Sequence, residues 1–126
     1  MTGPIRVLVV DDEPDNVASM EALLRGNGFE TKGCCQANEA FARVKDYDPD
    51  AVILDLRMPG KSGWDLAEEI RRAFPGKRPV LIALTGEHTR SVDKQLSKIK
   101  GFDFYLIKPA DPRVLVAMLK TVRSPW

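Results

Sequence analysis

The sequence predicts a doubly wound α/β domain: five parallel strands alternating with five helices, with helices on both faces of the sheet. Three observations lead there. The runs Ile5–Val10, Ala51–Leu54 and Pro79–Leu84 are almost uninterruptedly apolar, as strands buried on both faces are. Segments with apolar residues at helical spacing separate them. Each long run then stops on a polar residue, and in a parallel sheet all such strand ends lie on one edge.

In chain order, Ile5–Val10 is a β-branched central strand ending on Asp11-Asp12. Glu13-Pro14-Asp15 opens a helix, with proline early and acids near the positive end of the dipole. Val17, Met20, Leu23 and Leu24 share one face of it, and Gly26 and Gly28 end it. Residues 29–35 form a second, less apolar strand, with Thr31 and Cys34 its best strand formers. A short helix follows from Gln36, with Ala40, Phe41 and Val44 inward, and Asp48-Pro49-Asp50 breaks it. The central run reaches Asp55 and turns at Pro59-Gly60. Ser62 or Gly63 starts a helix with Leu66, Ala67, Ile70 and Phe74 on one side. Its acids precede Arg71-Arg72, as the dipole prefers. The fourth strand ends on Thr85-Gly86, and a polar helix with a thin seam of Val92, Leu96 and Ile99 comes next. Residues 101–107 alternate more than the other strands, which predicts the edge strand; Lys108-Pro109 stops it. Asp111-Pro112 caps a last helix to about Val122, with Val114, Leu115, Met118 and Leu119 inward.

At 126 residues the chain is expected to be a single domain, with a core from about residue 5 to 122. A net charge of +1 gives no electrostatic footprint for nucleic acid or an anionic membrane. Cys34 and Cys35 are neighbours, which rarely bridge one another, so a reducing compartment is expected. No stretch approaches the roughly 20 apolar residues of a membrane helix, and the N-terminus does not resemble a signal peptide. The expectation is a cytoplasmic protein.

The strand ends Asp11-Asp12, Asp55, Thr85 and Lys108 can converge on one point. Taken singly, Asp12 and Thr85 read equally well as helix caps, Asp55 as a turn former and Lys108 as an exposed strand end. Taken together they describe a site. Three carboxylates within about 5 Å repel by roughly 3 kcal/mol per pair at an effective dielectric near 20. Such a cluster needs a cation, and all-oxygen ligands with no histidine or cysteine beside them suit Mg2+. Lys108 adds a monovalent charge, and an anion bridging metal and ammonium, phosphoryl above all, completes the site. A carboxylate can attack phosphorus to give an aspartyl phosphate, whose outer oxygens the metal, the ammonium and the Thr85 hydroxyl would neutralise or bond.

The motifs Val9-Val10-Asp11-Asp12-Glu13, Asp55-Leu56-Arg57-Met58-Pro59-Gly60 with Gly63, Leu84-Thr85-Gly86 and Tyr105-Leu106-Ile107-Lys108-Pro109, in this order and spacing, resemble the receiver domain of two-component response regulators. The resemblance runs from Val7 to about Leu119. It implies a flavodoxin-like strand order 2-1-3-4-5 and makes Asp55 the phosphoacceptor. It makes Asp12 a direct Mg2+ ligand and Asp11 one acting mainly through water, with the backbone carbonyl of Arg57 completing the set. Lys108 would pair with the phosphoryl group, its bond to Pro109 cis. Thr85 and Tyr105 would form the switch, the hydroxyl moving toward the phosphoryl oxygen and the ring into the vacated space. The donor would be a phosphohistidine on a sensor histidine kinase or a histidine phosphotransfer protein. The face of the fourth helix, fifth strand and fifth helix, carrying Arg90, Asp93, Lys94, Lys98 and Tyr105, would meet a downstream partner.

Arg57 and Glu87, each two residues past a site residue, would flank the phosphoryl group, and we expect them to pair across the mouth and slow hydrolysis. The small Gly86 leaves the entrance open. Lys61, Trp64 and Ile99-Lys100 depart from the family's common pattern; Trp64 is expected to be a partly buried cover on the sheet, and His88 a solvated helix residue. Two rivals remain. Haloacid-dehalogenase-like phosphatases also use an aspartate after a buried strand, but expect an acid where this chain has Arg57. A receiver-like binding module that is never phosphorylated would have no need of all five site residues. A flavin or dinucleotide role lacks a glycine-rich loop after the first strand. The chain either signals by binding a partner directly or is one domain of a longer protein.

Overall fold

In the computed structural model the strands are β1 (Arg6–Val10), β2 (Glu30–Cys34), β3 (Ala51–Asp55), β4 (Val80–Thr85) and β5 (Phe104–Ile107). The helices are α1 (Pro14–Gly26), α2 (Ala37–Tyr47), α3 (Gly63–Ala73) and α4 (Pro112–Leu119). The structure describes residues 3–58, 60, 62–76, 78–86 and 102–123. The predicted fourth helix, with Glu87, His88, Arg90, Asp93, Lys94, Lys98 and Ile99-Lys100, lies outside those residues, as does Lys61. The label α4 therefore belongs to the last helix.

The strands form one sheet in the order β2-β1-β3-β4-β5, every pairing parallel. Alternation along each strand divides the core in two. Leu8, Val10, Val52, Leu54 and Leu81 meet Ala40 and Val44 of α2 and Leu66 and Ile70 of α3. Val7, Val9, Ile53, Ile82 and Leu84 face the other way, onto Val17 and Leu24 of α1 and Leu115 and Leu119 of α4. A sheet covered on both faces has no need of polar alternation in its central strands, and β3 and β4 are buried at every position.

The caps follow local chemistry. Ser62 accepts the Asp65 N–H at the start of α3, and Asp111 accepts the Arg113 N–H at the start of α4. Asp12 does not cap α1; Glu13 stands at that position and makes no side-chain cap bond. The helix that Thr85 could cap lies outside the described residues.

Several expectations shift. Val114 is 46% exposed rather than inward, because only Leu115 and Leu119 of α4 face the sheet squarely. Helix α4 ends at Leu119, and the chain continues in turns that bury Val122. The inner stripe of α2 is Ala37, Ala40, Val44 and Tyr47, with Phe41 only partly buried. Strand β5 begins at Phe104 rather than 101: Asp103 uses its carboxylate to accept the Leu81 N–H at 2.8 Å, ahead of the ladder. Trp64 is half-buried and meets Phe102 edge-on at 5.8 Å, as a cover should.

Candidate functional site

The sheet ladder runs past the strand ends and carries the predicted residues with it. Beyond β1 the Asp11 N–H donates to the Cys34 carbonyl at 3.1 Å. Beyond β3 the Leu56 N–H donates to Leu84, and beyond β5 the Lys108 N–H donates to Thr85 at 2.7 Å. Backbone bonds of this kind fix where side chains start, leaving only rotamers to settle. Helix α3 presses on the same corner. A Cβ on Gly63 would lie 2.6 Å from the Asp55 carbonyl oxygen and 2.8 Å from the Leu56 Cα, so only glycine lets the helix begin there.

The side chains converge. Carboxylate oxygens of Asp11, Asp12 and Asp55 lie within 4.8 Å of one another. Lys108 Nζ sits 3.1 Å from Asp55 Oδ2 and 3.6 Å from Asp11 Oδ2. Asp11 Oδ1 accepts the Glu13 N–H at 3.0 Å, and Asp55 Oδ1 accepts the Arg57 N–H at 3.1 Å. Asp11, Asp55 and Thr85 are buried, whereas Asp12 is half-exposed.

Charge is left over. At 4.8 Å each carboxylate pair repels by about 3 kcal/mol at an effective dielectric near 20, and one ammonium cannot balance three acids. Burial is the main reason the Asp55 carboxyl titrates above the ordinary carboxylate range, and the Asp11 charge adds to it. The Arg57 N–H and Lys108 pull the other way without cancelling it. Three hard oxygen donors and no nitrogen or sulfur in the cluster fit Mg2+.

Around this centre the remaining predicted residues sort by position. The Lys108–Pro109 bond is cis, as expected. Arg57 is exposed. Among the described residues, a Cβ on Gly86 would meet nothing within 4 Å. Tyr105 stands on the edge strand, 43% exposed and level with Ala83. The expected Arg57–Glu87 pair cannot be followed, since Glu87 is outside the described residues. A cleft of about 410 Å³ opens beside Asp11 and Lys108, walled by Asn16, Met20 and Leu23 of α1 and by Pro109-Ala110. Sequence spacing marks Gly63 only as a motif position and a possible helix start; its close approach to the Asp55 backbone is a tertiary feature.

The sequence matches the family described as "Response regulator receiver domain" over residues 7–120. The chain belongs to that family. This receiver is 37% identical over 115 residues to the "DNA-binding response regulator MtrA" of Mycolicibacterium smegmatis, covering 91% of the chain and 49% of that protein. The Mycobacterium tuberculosis protein of the same name is 36% identical over the same length. Among solved structures it is similar to the chemotaxis protein CheY4 of Vibrio cholerae, with TM-score 0.85, 25% identity, and coverage of 95% of this chain and 99% of that one. A putative response regulator from Chloroflexus aurantiacus has TM-score 0.82 and 33% identity, covering 94% of the receiver and 97% of its own chain.

Receivers are phosphoacceptor switches of two-component signalling, regulatory domains rather than enzymes in the ordinary sense, and response regulators work with histidine kinases or phosphotransfer proteins. Membership sets aside the phosphatase reading. The receiver spans about half the length of the curated relatives it matches. Their printed name describes those proteins as DNA-binding; the expectation of no nucleic-acid partner rested on the charge of these 126 residues and does not extend to a longer protein. No helix among the described residues is long and apolar enough to cross a membrane.

Proposed function

We propose that this receiver takes a phosphoryl group onto Asp55 from a phosphohistidine of a histidine kinase or phosphotransfer protein. The observation that carries the reading is the convergence of three carboxylates and the Lys108 ammonium at one strand-end corner, with Asp55 next to Lys108 at 3.1 Å. A Asp55 carboxylate oxygen attacks phosphorus, the bond to the donor nitrogen breaks, and an acyl phosphate forms. Lys108, already within reach of Asp55, follows the new negative charge, and the buried Thr85 hydroxyl supplies a hydrogen bond to it. Asp12, Asp55 and the Arg57 carbonyl would hold Mg2+ directly. Asp11 would act mainly through water, since its oxygens already serve Glu13 and Lys108. When bound, the ion offsets the acids and the incoming phosphoryl charge.

The pull on Thr85 is passed to Tyr105, which is exposed on the edge strand and would turn inward. The face around β5 and α4 then differs between the two states and selects the partner. The small Gly86 suits a protein-borne or small donor, and the same site would lose its phosphoryl group slowly to water. A cytoplasmic setting fits such donors and the two free cysteines. In a longer protein the switch would govern an attached module, as the DNA-binding relatives suggest.

The test is incubation with Mg2+ and a small acyl phosphate. A stoichiometric, acid-stable, base-labile adduct on Asp55, absent from Asp55→Ala and absent without Mg2+, is the expected result. Rapid repeated turnover would restore the phosphatase reading, and no adduct would leave a silent binding module.

A further inference from the structure

The end of the sheet opposite the acid cluster holds a second buried carboxylate. Asp50 directly precedes β3 and is 1% exposed. Five residues at about 3.3 Å each separate it from Asp55, so the two lie some 16 Å apart along one strand. Asp50 Oδ1 accepts from Arg78 Nη1 at 2.7 Å; Oδ2 accepts from the Arg6 backbone N–H at 2.9 Å and from Arg123 Nη2 at 3.0 Å. Arg123 also donates to the Gly3 carbonyl at 2.7 Å and the Pro4 carbonyl at 3.0 Å. One arginine beyond the last helix thus grips both the strand that carries Asp55 and the segment leading into β1. The other end of α4 starts at Pro112, a few residues after Lys108.

We propose that Asp50 and Arg123 form a strap that pins the C-terminal end of α4 to the start of the sheet, so that α4 responds to the site by pivoting about Arg123. Its two ends are held unequally. Near the site the helix hangs from Lys108–Asp111, whose ammonium must readjust whenever charge arrives at Asp55. At the far end a charge-assisted bond and two carbonyl bonds converge on a single guanidinium whose planar fork suits several acceptors at once. Motion entering at one end therefore dies out toward the other. The strap is independent of phosphoryl chemistry; its use in signalling rests on the proposed function.

Amide exchange on the unphosphorylated protein tests the strap. In Arg123→Gln the Lys120, Thr121 and Val122 amides, which close the turns after α4, should exchange roughly tenfold faster, with Val52, Ile53 and Leu81 within about twofold of wild type. Arg78→Gln, which removes a different partner of the same carboxylate, should leave the 120–122 amides within about twofold. Unchanged 120–122 amides in Arg123→Gln, equal acceleration in the strands, or the same result from Arg78→Gln overturns the proposal. After labelling with acyl phosphate, chemical-shift changes in wild type should be largest at 111–115 and fade toward 120–123, and in Arg123→Gln they should reach 123. An even spread in wild type overturns the pivot while leaving Asp55 as acceptor. A protein that takes no label counts against the proposed function and the pivot, and leaves the exchange result standing.

Discussion

Asp50 immediately precedes a five-residue strand and Asp55 is its last residue; both are buried, and they behave oppositely. Burial alone would raise the Asp50 carboxyl, but the Arg123 hydrogen bond, the Arg6 N–H and the charges of Arg123 and Arg78 together bring it below its ordinary range. At Asp55 burial prevails, with Asp11 reinforcing it, and the Arg57 N–H and a single lysine opposing. Burial thus goes with a settled charge at one pole and an unsettled one at the other. The difference lies in the partners: Asp50 meets cations and N–H donors, whereas Asp55 shares its corner with two acids. A buried carboxylate that the fold has satisfied serves stability; one left in deficit waits for a ligand.

Removing the satisfied one should cost most. Asp50→Ala leaves two arginines and an N–H without their acceptor and should lose about 2–3 kcal/mol, since the arginines are partly exposed and rehydrate. The sign with pH is fixed by the lowered value. Its contribution is present above the unfolded carboxylate value of about 3.9 and fades as pH falls through the folded one. Urea unfolding should therefore show wild type losing more than Asp50→Ala between neutral pH and strongly acidic pH. Parallel curves would break the comparison.

Gly63→Ala tests whether the unsettled pole is held in place by packing. A methyl pressed against the Asp55 carbonyl should cost about 2 kcal/mol and slow labelling at Asp55. A variant as stable and as readily labelled as wild type would show the corner to be loose. Asp55→Asn should do the reverse of the Asp50 change. In the absence of Mg2+ it should stabilise by about 1 kcal/mol at pH 7, because it removes a charge that burial and two acids disfavour. Here the raised value means stability is full below about pH 3.9 and is lost as pH rises through the folded value. The variant should lack that loss. Added Mg2+ should raise the melting temperature of wild type and leave the variant unmoved. The smallest effect is a control. Glu68 meets Arg72 at 3.2 Å, but both are well exposed, so Glu68→Gln should change stability by no more than about 0.5 kcal/mol. A larger loss would mean that a cation partner matters without burial.

Much of the candidate site was legible because it depends on periodicity and on one rule of topology. Apolar runs mark the central strands, a parallel sheet puts their ends on one edge, and Asp11, Asp12, Asp55, Thr85 and Lys108 stand at those ends. Side-chain depth was harder to read. Val114 occupies a position that helical spacing assigns inward, yet it is exposed, while Leu115 and Leu119 are fully buried and Val116 and Met118 partly so against the same core. Similarly, the spacing that put Ala40, Phe41 and Val44 inward did not include Tyr47, whose ring lies buried with Arg6 and Lys32 over it and whose hydroxyl donates to Glu30.

Strand identity, strand order through the family motifs, and the chemistry gathered at the acid corner were determined by the sequence itself, since each follows from local pattern or fixed connectivity. The fate of Asp50 was decided only by tertiary structure. Next to Pro49 it reads as a helix breaker, and its partners come from positions 6, 78 and 123, which no local pattern joins. Whether a buried charge is satisfied depends on which distant groups the fold delivers to it, and that is a property of three-dimensional packing.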